Sequence, residues 1–103
     1  MVFYSPQANK DLDDIRHGLL LWDKFELTLE FVLNYMDEIK YQCESIQRKK
    51  THLRTTYQIH RQYGKHVQKY RRNPRTLWYI IYDIDNMGNI FINKIISNYT
   101  TTK

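Results

Sequence analysis

The sequence predicts an α+β fold in which a two-helix hairpin packs on one face of an antiparallel sheet, in the order β-α-α-β-β-β. Apolar residues recur at helical spacing between residues 29 and 46, which indicates a long amphipathic helix. Residues 77–84 form an almost wholly apolar run, and an isoleucine-rich segment follows a glycine turn after it. With 103 residues, 42% of them hydrophobic, the chain is long enough for a single domain, residues 1–103, with one core.

The N-terminal part predicts a short strand and a first helix. Val2–Tyr4 is a short apolar segment, and Ser5 and Pro6 are favoured at the N-cap and the first position of a helix. The apolar residues spaced for one face of this helix are Ala8, Leu12, Ile15, Leu19 and Trp22. Asp23-Lys24 is the predicted break before the second helix.

The second helix has the strongest pattern in the chain. Its apolar stripe consists of Leu29, Val32, Met36, Ile39, Cys43 and Ile46. Such a stripe can pack on a sheet or form a coiled coil with a second copy, and its short length favours packing on the sheet. Cys43 is the only cysteine, which excludes an internal disulfide and a cysteine-based zinc site, and its place in the stripe indicates a buried hydrophobe.

The segment between the helices and the later strands is the hardest to interpret. Arg48-Lys49-Lys50 ends the second helix with cations, which suit the negative end of the helix dipole. Within residues 48–64, Tyr57–Ile59 fits either a short extended piece or a third helix.

The C-terminal part predicts three strands. Lys65–Arg72 is basic, which is typical of an edge strand, and Leu77–Ile84 is apolar enough for a central strand buried on both faces. Asp85–Gly88 predicts a turn, with Gly88 free to take a positive φ. In the last strand we expect two alternating faces, Ile90, Ile92 and Ile96 on one and Phe91, Asn93 and Ile95 on the other.

The charge of the chain is positive and unevenly distributed. The formal net charge is +5, and residues 48–75 contain no Asp or Glu while Lys and Arg recur throughout. Such a distribution favours an acidic partner such as nucleic acid, although charge that merely keeps an edge strand soluble is the alternative. The residues predicted to bind RNA are Arg61, Lys65, Lys69, Arg71 and Arg72.

Metal-free RNA cleavage is one chemistry that such a surface can perform. It needs cations on the phosphate and proton carriers for the 2′-hydroxyl and the leaving oxygen. The candidate proton carriers are His60, His66, Tyr79, Tyr82 and Tyr99. Tyr99 is the preferred one, with Arg75 and His66 as further catalytic candidates. The chain has no glycine-rich phosphate loop and no metal-ligand spacing, so no cofactor or metal is expected.

Protein binding is the other function class left open. A positive groove beside an exposed sheet edge could accept an acidic peptide. No apolar run is long enough to span a membrane and no signal peptide is visible, so we expect a cytoplasmic protein.

Both ends of the chain resemble one protein family. Tyr4-Ser5-Pro6, followed by Ala8, Asp11-Leu12 and Ile15, resembles the SP-x-A-x-x-D-L-x-x-I opening of the RelE/ParE family of type II toxins, which includes plasmid stabilization proteins. The C-terminal part is similar in its basic strand, the segment Trp78–Asp83, the glycine turn and the isoleucine-rich last strand. Residues 48–64 are longer than the connection expected in the family.

The resemblance implies a cytoplasmic toxin that is neutralised by a cognate acidic antitoxin. RelE-like members cut mRNA on the ribosome without a metal, and ParE-like members inhibit DNA gyrase. We expect the first activity, an endoribonuclease that inhibits translation, with a gyrase inhibitor or a non-catalytic RNA- or protein-binding module as alternatives.

By position in the family, the basic residues Lys69, Arg71 and Arg72 would hold RNA. The chain departs from the nuclease pattern at Tyr79, where many members have arginine, and at Asn98, where several have histidine. It keeps the tyrosine that follows, Tyr99.

Overall fold

The computed structural model describes residues 1–21 and 28–101, and its elements follow the predicted order with three short additions. In chain order they are β1 (Val2–Tyr4), α1 (Pro6–Leu20), α2 (Leu29–Ser45) with a 3-10 turn (Ile46–Arg48), β2 (Leu53–Arg54), α3 (Gln58–Arg61), β3 (His66–Asn73), β4 (Thr76–Ile84), β5 (Ile90–Ser97) and α4 (Asn98–Thr101). The additions are β2, α3 and α4. The α+β class is therefore confirmed.

The five strands form one sheet in the order β1-β5-β4-β3-β2. Short turns connect β3 to β4 and β4 to β5, so both of these pairs are antiparallel, whereas β1 is parallel to β5. The prediction of a wholly antiparallel sheet was wrong for this strand. Two helices separate β1 from the rest of the sheet in sequence, and a connection of that length permits a parallel pairing.

Both long helices begin with side-chain caps. The Ser5 Oγ accepts a hydrogen bond from the Ala8 backbone N–H at 3.0 Å, as its place before Pro6 predicts. Thr28 caps α2 in the same way, with its Oγ1 accepting from the Phe31 N–H at 3.0 Å. The predicted break at Asp23-Lys24 and the stripe residue Trp22 lie outside the described residues.

The main core lies between the two helices and one face of the sheet, which we call the helix-covered face. Its buried members are Ala8, Leu12, Tyr35, Ile39, Cys43, Ile46, Ile80, Tyr82, Ile90, Ile92 and Ile95. The stripe of α2 thus packs on the sheet from Met36 to Ile46, as favoured from the sequence, whereas Leu29 at its start is exposed. Tyr35 was not expected there, and it is held by a hydrogen bond that the Trp78 Nε1–H donates to its hydroxyl at 2.9 Å.

A smaller apolar cluster lies on the opposite face, which we call the open face. Its buried members are Val67, Tyr79 and Ile81, and Tyr63, Leu77 and Ile96 pack against them. The middle of β4 is therefore buried on both faces, as its apolar sequence predicts.

A β-bulge at Asn93 corrects the predicted faces of β5. Ile81 pairs with Lys94, but its neighbour Tyr82 pairs with Ile92, so one extra residue is inserted in β5. The alternation therefore shifts, which places Ile95 in the main core and Ile96 on the open face, the reverse of the prediction.

Residues 48–64 contain both a strand and a short helix. The extended reading of Tyr57–Ile59 was wrong, because Tyr57 is the N-cap of α3. The third-helix alternative is correct in a short form. Gly64 closes the segment where a Cβ would lie 2.9 Å from the Tyr82 carbonyl oxygen, so only glycine allows this close approach to β4. At the later turn Gly88 has the positive φ expected, 81°.

None of the helices in the described part of the chain is both long and apolar enough to cross a lipid bilayer.

Candidate nucleic-acid interface

The alternation of β3 divides its basic residues between the two faces of the sheet. Val67 belongs to the open-face cluster, so Lys69 and Arg71 lie on that face, whereas Arg72 lies on the helix-covered face. There the Arg72 guanidinium forms an ion pair with Glu38 of α2 and stacks over the Tyr35 ring, 4.5 Å from its centroid. Three predicted RNA-binding residues of one strand therefore do not share a surface.

Arg72 is neutralised by its surroundings. The Tyr70 hydroxyl donates a hydrogen bond to the Glu38 carboxylate at 2.6 Å, and this bond, together with Arg72, lowers the pKa of Glu38. Glu38 is therefore ionised at neutral pH and offsets the charge of Arg72. The pair connects α2 to β3 and leaves little charge for an external anion.

Lys69 and Arg71, by contrast, are exposed and have no acidic partner among the described residues. They lie directly across from Tyr79 and Leu77 of β4. The Arg71 guanidinium donates one hydrogen bond, to the Pro74 carbonyl at 3.2 Å, and its remaining N–H groups face solvent. Both cations are thus available to phosphate oxygens.

The α3 segment, by which we mean α3 and the residues up to Lys65, adds two more cations to the open face. It lies over this face because the His60 ring packs on the Tyr79 ring, with centroids 4.6 Å apart. Arg61 follows His60 and is exposed, and Lys65 precedes β3 in the same alternation as Lys69. We call the surface formed by Arg61, Lys65, Lys69 and Arg71 the basic face.

Two candidate proton carriers lie beneath the basic face. His60 is 1% exposed, and burial together with Lys69 lowers its pKa, so its imidazole is neutral at pH 7. Tyr79 is 5% exposed, and burial together with its hydrogen bond to Tyr57 raises its pKa. Both side chains serve as core groups that a bound phosphate does not reach.

Tyr57 is the exposed aromatic group of this region. Its ring stands edge-on to both His60 and Tyr79, at centroid distances of 5.2 and 5.9 Å, and 43% of the residue is exposed. A tyrosine fixed beside unpaired cations can stack on a base while the cations hold the backbone.

His66 lies on the helix-covered face, away from the basic face. Its ring stacks on Tyr82, with centroids 5.6 Å apart, and the Tyr82 hydroxyl is 2.7 Å from the His52 Nδ1. The His66 Nδ1 is buried without a hydrogen-bond partner in the described structure. Burial lowers the pKa of His66, as do the nearby His52 and Arg54, and burial raises the pKa of Tyr82 to about 12. His66 is therefore a neutral packing residue.

Arg75 and Tyr99 lie together at the other end of the sheet. The Arg75 carbonyl accepts a hydrogen bond from the Asn98 Nδ2 at 3.2 Å, and Tyr99 follows in α4. Tyr99 is exposed and shares a cleft with residues of α1, on the helix-covered side. His66 pairs with Tyr82, four positions along β4 from Trp78, the partner of Ser97, a separation of about 13 Å. The three predicted catalytic residues therefore do not form one site.

The acidic residues of the described chain are concentrated on the helices. On α1 the pairs Lys10–Asp14 and Arg16–Asp13 are exposed, at 2.9 and 3.4 Å. Within residues 1–21 and 28–101, no group of three or more His, Cys, Asp or Glu side chains is placed to hold a metal ion. The open face is thus the cationic side of the molecule.

The sequence identified the basic stretch, but it did not show how the basic side chains divide between the two faces of the sheet. The absence of acidic residues from residues 48–75 predicts a cationic surface, and the structure places four exposed cations of this range on the open face. Tyr57 was not among the predicted site residues, because its position beside the cations depends on α3 folding over Tyr79. Arg72 carries the same sequence signal as Arg71, and only the pleat distinguishes them.

Comparison with known proteins gives no match: no family model, no curated protein and no solved structure is similar to the chain.

Proposed function

We propose that the chain is a toxin of the RelE/ParE type that inhibits translation by binding mRNA along its basic face. The observation that carries this proposal is the set of four exposed cations on one side of the sheet, none of them paired with a carboxylate in the described structure. Unpaired cations attract phosphates and lose little on binding, because no internal ion pair must be broken first.

The proposal that the chain is a toxin is supported by its sequence resemblance to the RelE/ParE family. The Ser5-Pro6 opening and the Trp78–Asp83 strand are the features similar to that family. They occupy the start of α1 and the centre of the sheet, the two places where the fold requires a cap and a doubly buried strand. The basic face lies on the strand beside that centre.

The basic face supports binding more directly than cleavage. A metal-free nuclease needs an acid or a base beside the reacting phosphate. His60 and Tyr79 are beside Lys69 and Arg71 but are buried beneath Tyr57. Cleavage of mRNA on the ribosome would require this cover to be displaced, so inhibition by occupation of the mRNA is the activity we infer.

The partner implied by this proposal is an acidic antitoxin. A carboxylate-rich segment on the basic face would neutralise the same four cations that hold RNA. Toxin activity and antitoxin binding would then exclude each other.

Induction of the chain alone in cells tests the proposal. We expect growth arrest with loss of protein synthesis. The double variant Lys69→Gln/Arg71→Gln removes two of the four cations at exposed positions, and we expect it to relieve the arrest.

The matched control is Lys10→Gln/Arg16→Gln, which removes the same net charge from the outer surface of α1. We expect this control to arrest growth as the unmodified chain does. Equal relief by both double variants would refute a role for the basic face, and no arrest with the unmodified chain would refute the toxin proposal. Tyr99→Phe tests whether the other end of the sheet contributes to the arrest. We expect this variant to arrest growth as the unmodified chain does.

A further inference from the structure

A small cavity lies where the α3 segment meets β3. Its volume is about 360 Å³, and its lining residues are Arg54, Thr55, Arg61, Gly64 and Lys65. Three of these five residues are cations and none is acidic. A cavity of this composition favours a compact anion.

The base of the cavity is held by backbone and side-chain hydrogen bonds. The Thr55 N–H donates to the Lys65 carbonyl and the Thr55 Oγ1–H donates to the Gly64 carbonyl, both at 3.0 Å. Thr55 itself is 7% exposed. These two bonds close the loop between β2 and β3, so the cations at its ends are held near each other before any ligand binds.

The position of Arg61 is also fixed. Its Nε–H donates to the Thr55 carbonyl at 3.5 Å, which leaves the terminal N–H groups of the guanidinium for a ligand. Lys65 is anchored through its backbone, whose N–H donates to the Asp83 carboxylate at 2.9 Å, while its side chain is exposed. Asp83 does not line the cavity. Its second oxygen accepts from the Asn93 Nδ2 at 3.0 Å.

Neither Arg54, Arg61 nor Lys65 forms an ion pair within the described residues. Asp83, which accepts a hydrogen bond from the Lys65 backbone N–H, offsets their mutual repulsion only in part. The same positive potential is one cause of the lowered pKa of His66, to which Arg54 and Lys65 both contribute. An anion of charge −1 to −2 would remove this repulsion.

We propose that this cavity binds a phosphate group, with the Arg61 guanidinium and the Lys65 ammonium as its main ligands and Arg54 as a further cation. The phosphate comes either from an RNA strand on the basic face or from a free phosphate ion. The RNA source rests on the proposed function, whereas binding of free phosphate does not.

Titration of the ¹⁵N-labelled full chain with inorganic phosphate, followed by amide chemical shifts, tests the cavity directly. We expect the largest shifts at Gly64, Lys65 and Arg61, saturating at millimolar phosphate. Each of the variants Arg61→Gln and Lys65→Gln removes one charge-assisted contact, and we expect about tenfold weaker binding. Both positions are exposed, and the amide spectrum itself shows that the variants fold.

Arg16→Gln is the control, since Arg16 is an exposed arginine already paired with an aspartate. Shifts spread evenly over all surface cations would overturn the proposal. So would an equal loss of binding in Arg16→Gln and Arg61→Gln.

A second titration, with a short oligoribonucleotide that lacks a terminal phosphate, identifies the source. Tighter binding than inorganic phosphate at the same amides assigns the cavity to the RNA backbone. Binding of inorganic phosphate alone supports the cavity and argues against the basic face as an RNA site. RNA binding that leaves Gly64 and Lys65 unshifted overturns the RNA backbone as the source of the phosphate and leaves the proposed function standing.

Discussion

The proposed binding of RNA along the basic face predicts how the affinity depends on salt concentration. The four exposed cations Arg61, Lys65, Lys69 and Arg71 can each neutralise one phosphate and release its counterion. For single-stranded RNA each such contact contributes about −0.7 to the slope of log K against log salt, so we expect about −2.8 for the unmodified chain. That slope corresponds to a loss of about 50-fold in affinity between about 50 and 200 mM salt.

The variant Lys69→Gln/Arg71→Gln removes two of these contacts. Its slope is expected to fall to about −1.4, which leaves only about a sevenfold loss over the same salt range. Fluorescence anisotropy with a labelled oligoribonucleotide of random sequence measures both slopes. The charge-matched control Lys10→Gln/Arg16→Gln is expected to keep the steeper slope, because both residues already have aspartate partners.

Two results would exclude the basic face as the source of the salt dependence. One is an unchanged slope in the Lys69→Gln/Arg71→Gln variant, which would show that the contacts lie elsewhere. The other is an equal reduction in the control, which would show that net charge alone, and not the basic face, sets the affinity.

Three further predictions concern the groups around the basic face and the core. Replacing Tyr57 by Ala removes the stacking surface and is expected to weaken RNA binding by about 1–3 kcal/mol in the anisotropy assay, whereas Tyr57→Phe is expected to retain affinity. Asp11→Ala leaves the Lys94 ammonium and the Ile95 N–H, each now 3.0 Å from the carboxylate, without their acceptor, and we expect a loss of about 3 kcal/mol, or about 12–24 °C in Tm by calorimetry. Folding lowers the pKa of His66, so the unfolded chain binds a proton at a higher pH than the folded chain does. The contribution of His66 to the free energy of unfolding is therefore complete above pH 6.5 and is lost as the pH falls. We expect urea denaturation to show a weaker acid dependence in His66→Gln.

Each of these predictions has a matched control. Asp14 is an exposed aspartate on the same helix as Asp11, and Asp14→Ala is expected to cost less than about 1 kcal/mol. His17 is an exposed histidine, and His17→Gln is the control, with a smaller expected effect than His66→Gln in the same urea measurements. Reversed outcomes in either pair, or equal RNA affinity for Tyr57→Ala and the unmodified chain, would contradict the assigned roles.

Local signals in the sequence predicted the elements whose structure is decided locally. Ser5 before Pro6 marks a helix start by hydrogen bonding within one turn, and the run Leu77–Ile84 can be satisfied only where both faces are covered. Gly88 meets a conformational requirement of its own turn. These features depend little on what surrounds them.

Features that depend on distant contacts were not predictable in the same way. The bulge at Asn93 is stabilised by its amide, which donates to the Tyr63 carbonyl at 2.8 Å and to Asp83 at 3.0 Å, and these partners are known only once the sheet has formed. The parallel pairing of β1 likewise depends on how the two helices return the chain. The bulge moves the residues after it to the opposite face of the sheet, and the parallel pairing reverses the direction of β1. Neither change is visible in the composition of the strands.

The candidate site shows the same division. The basic stretch was visible as a region, but the sequence placed Arg72 with Arg71 and brought His66 and Tyr99 into one hypothesis. Arg72 forms an ion pair with Glu38, which is far away in sequence. His66 and Tyr99 are separated by the length of β4. The residues that remain on the basic face are those whose side-chain cations form no ion pair in the described structure.

Protein synthesis in a reconstituted translation system is the most direct test of whether the basic face inhibits translation. Purified chain is added to ribosomes and a defined mRNA, in parallel with the Lys69→Gln/Arg71→Gln variant and with a DNA gyrase supercoiling reaction. We expect the unmodified chain to stop synthesis, the variant to do so far less, and supercoiling to be unaffected. Continued synthesis at saturating protein, or inhibition of supercoiling instead, would contradict this expectation.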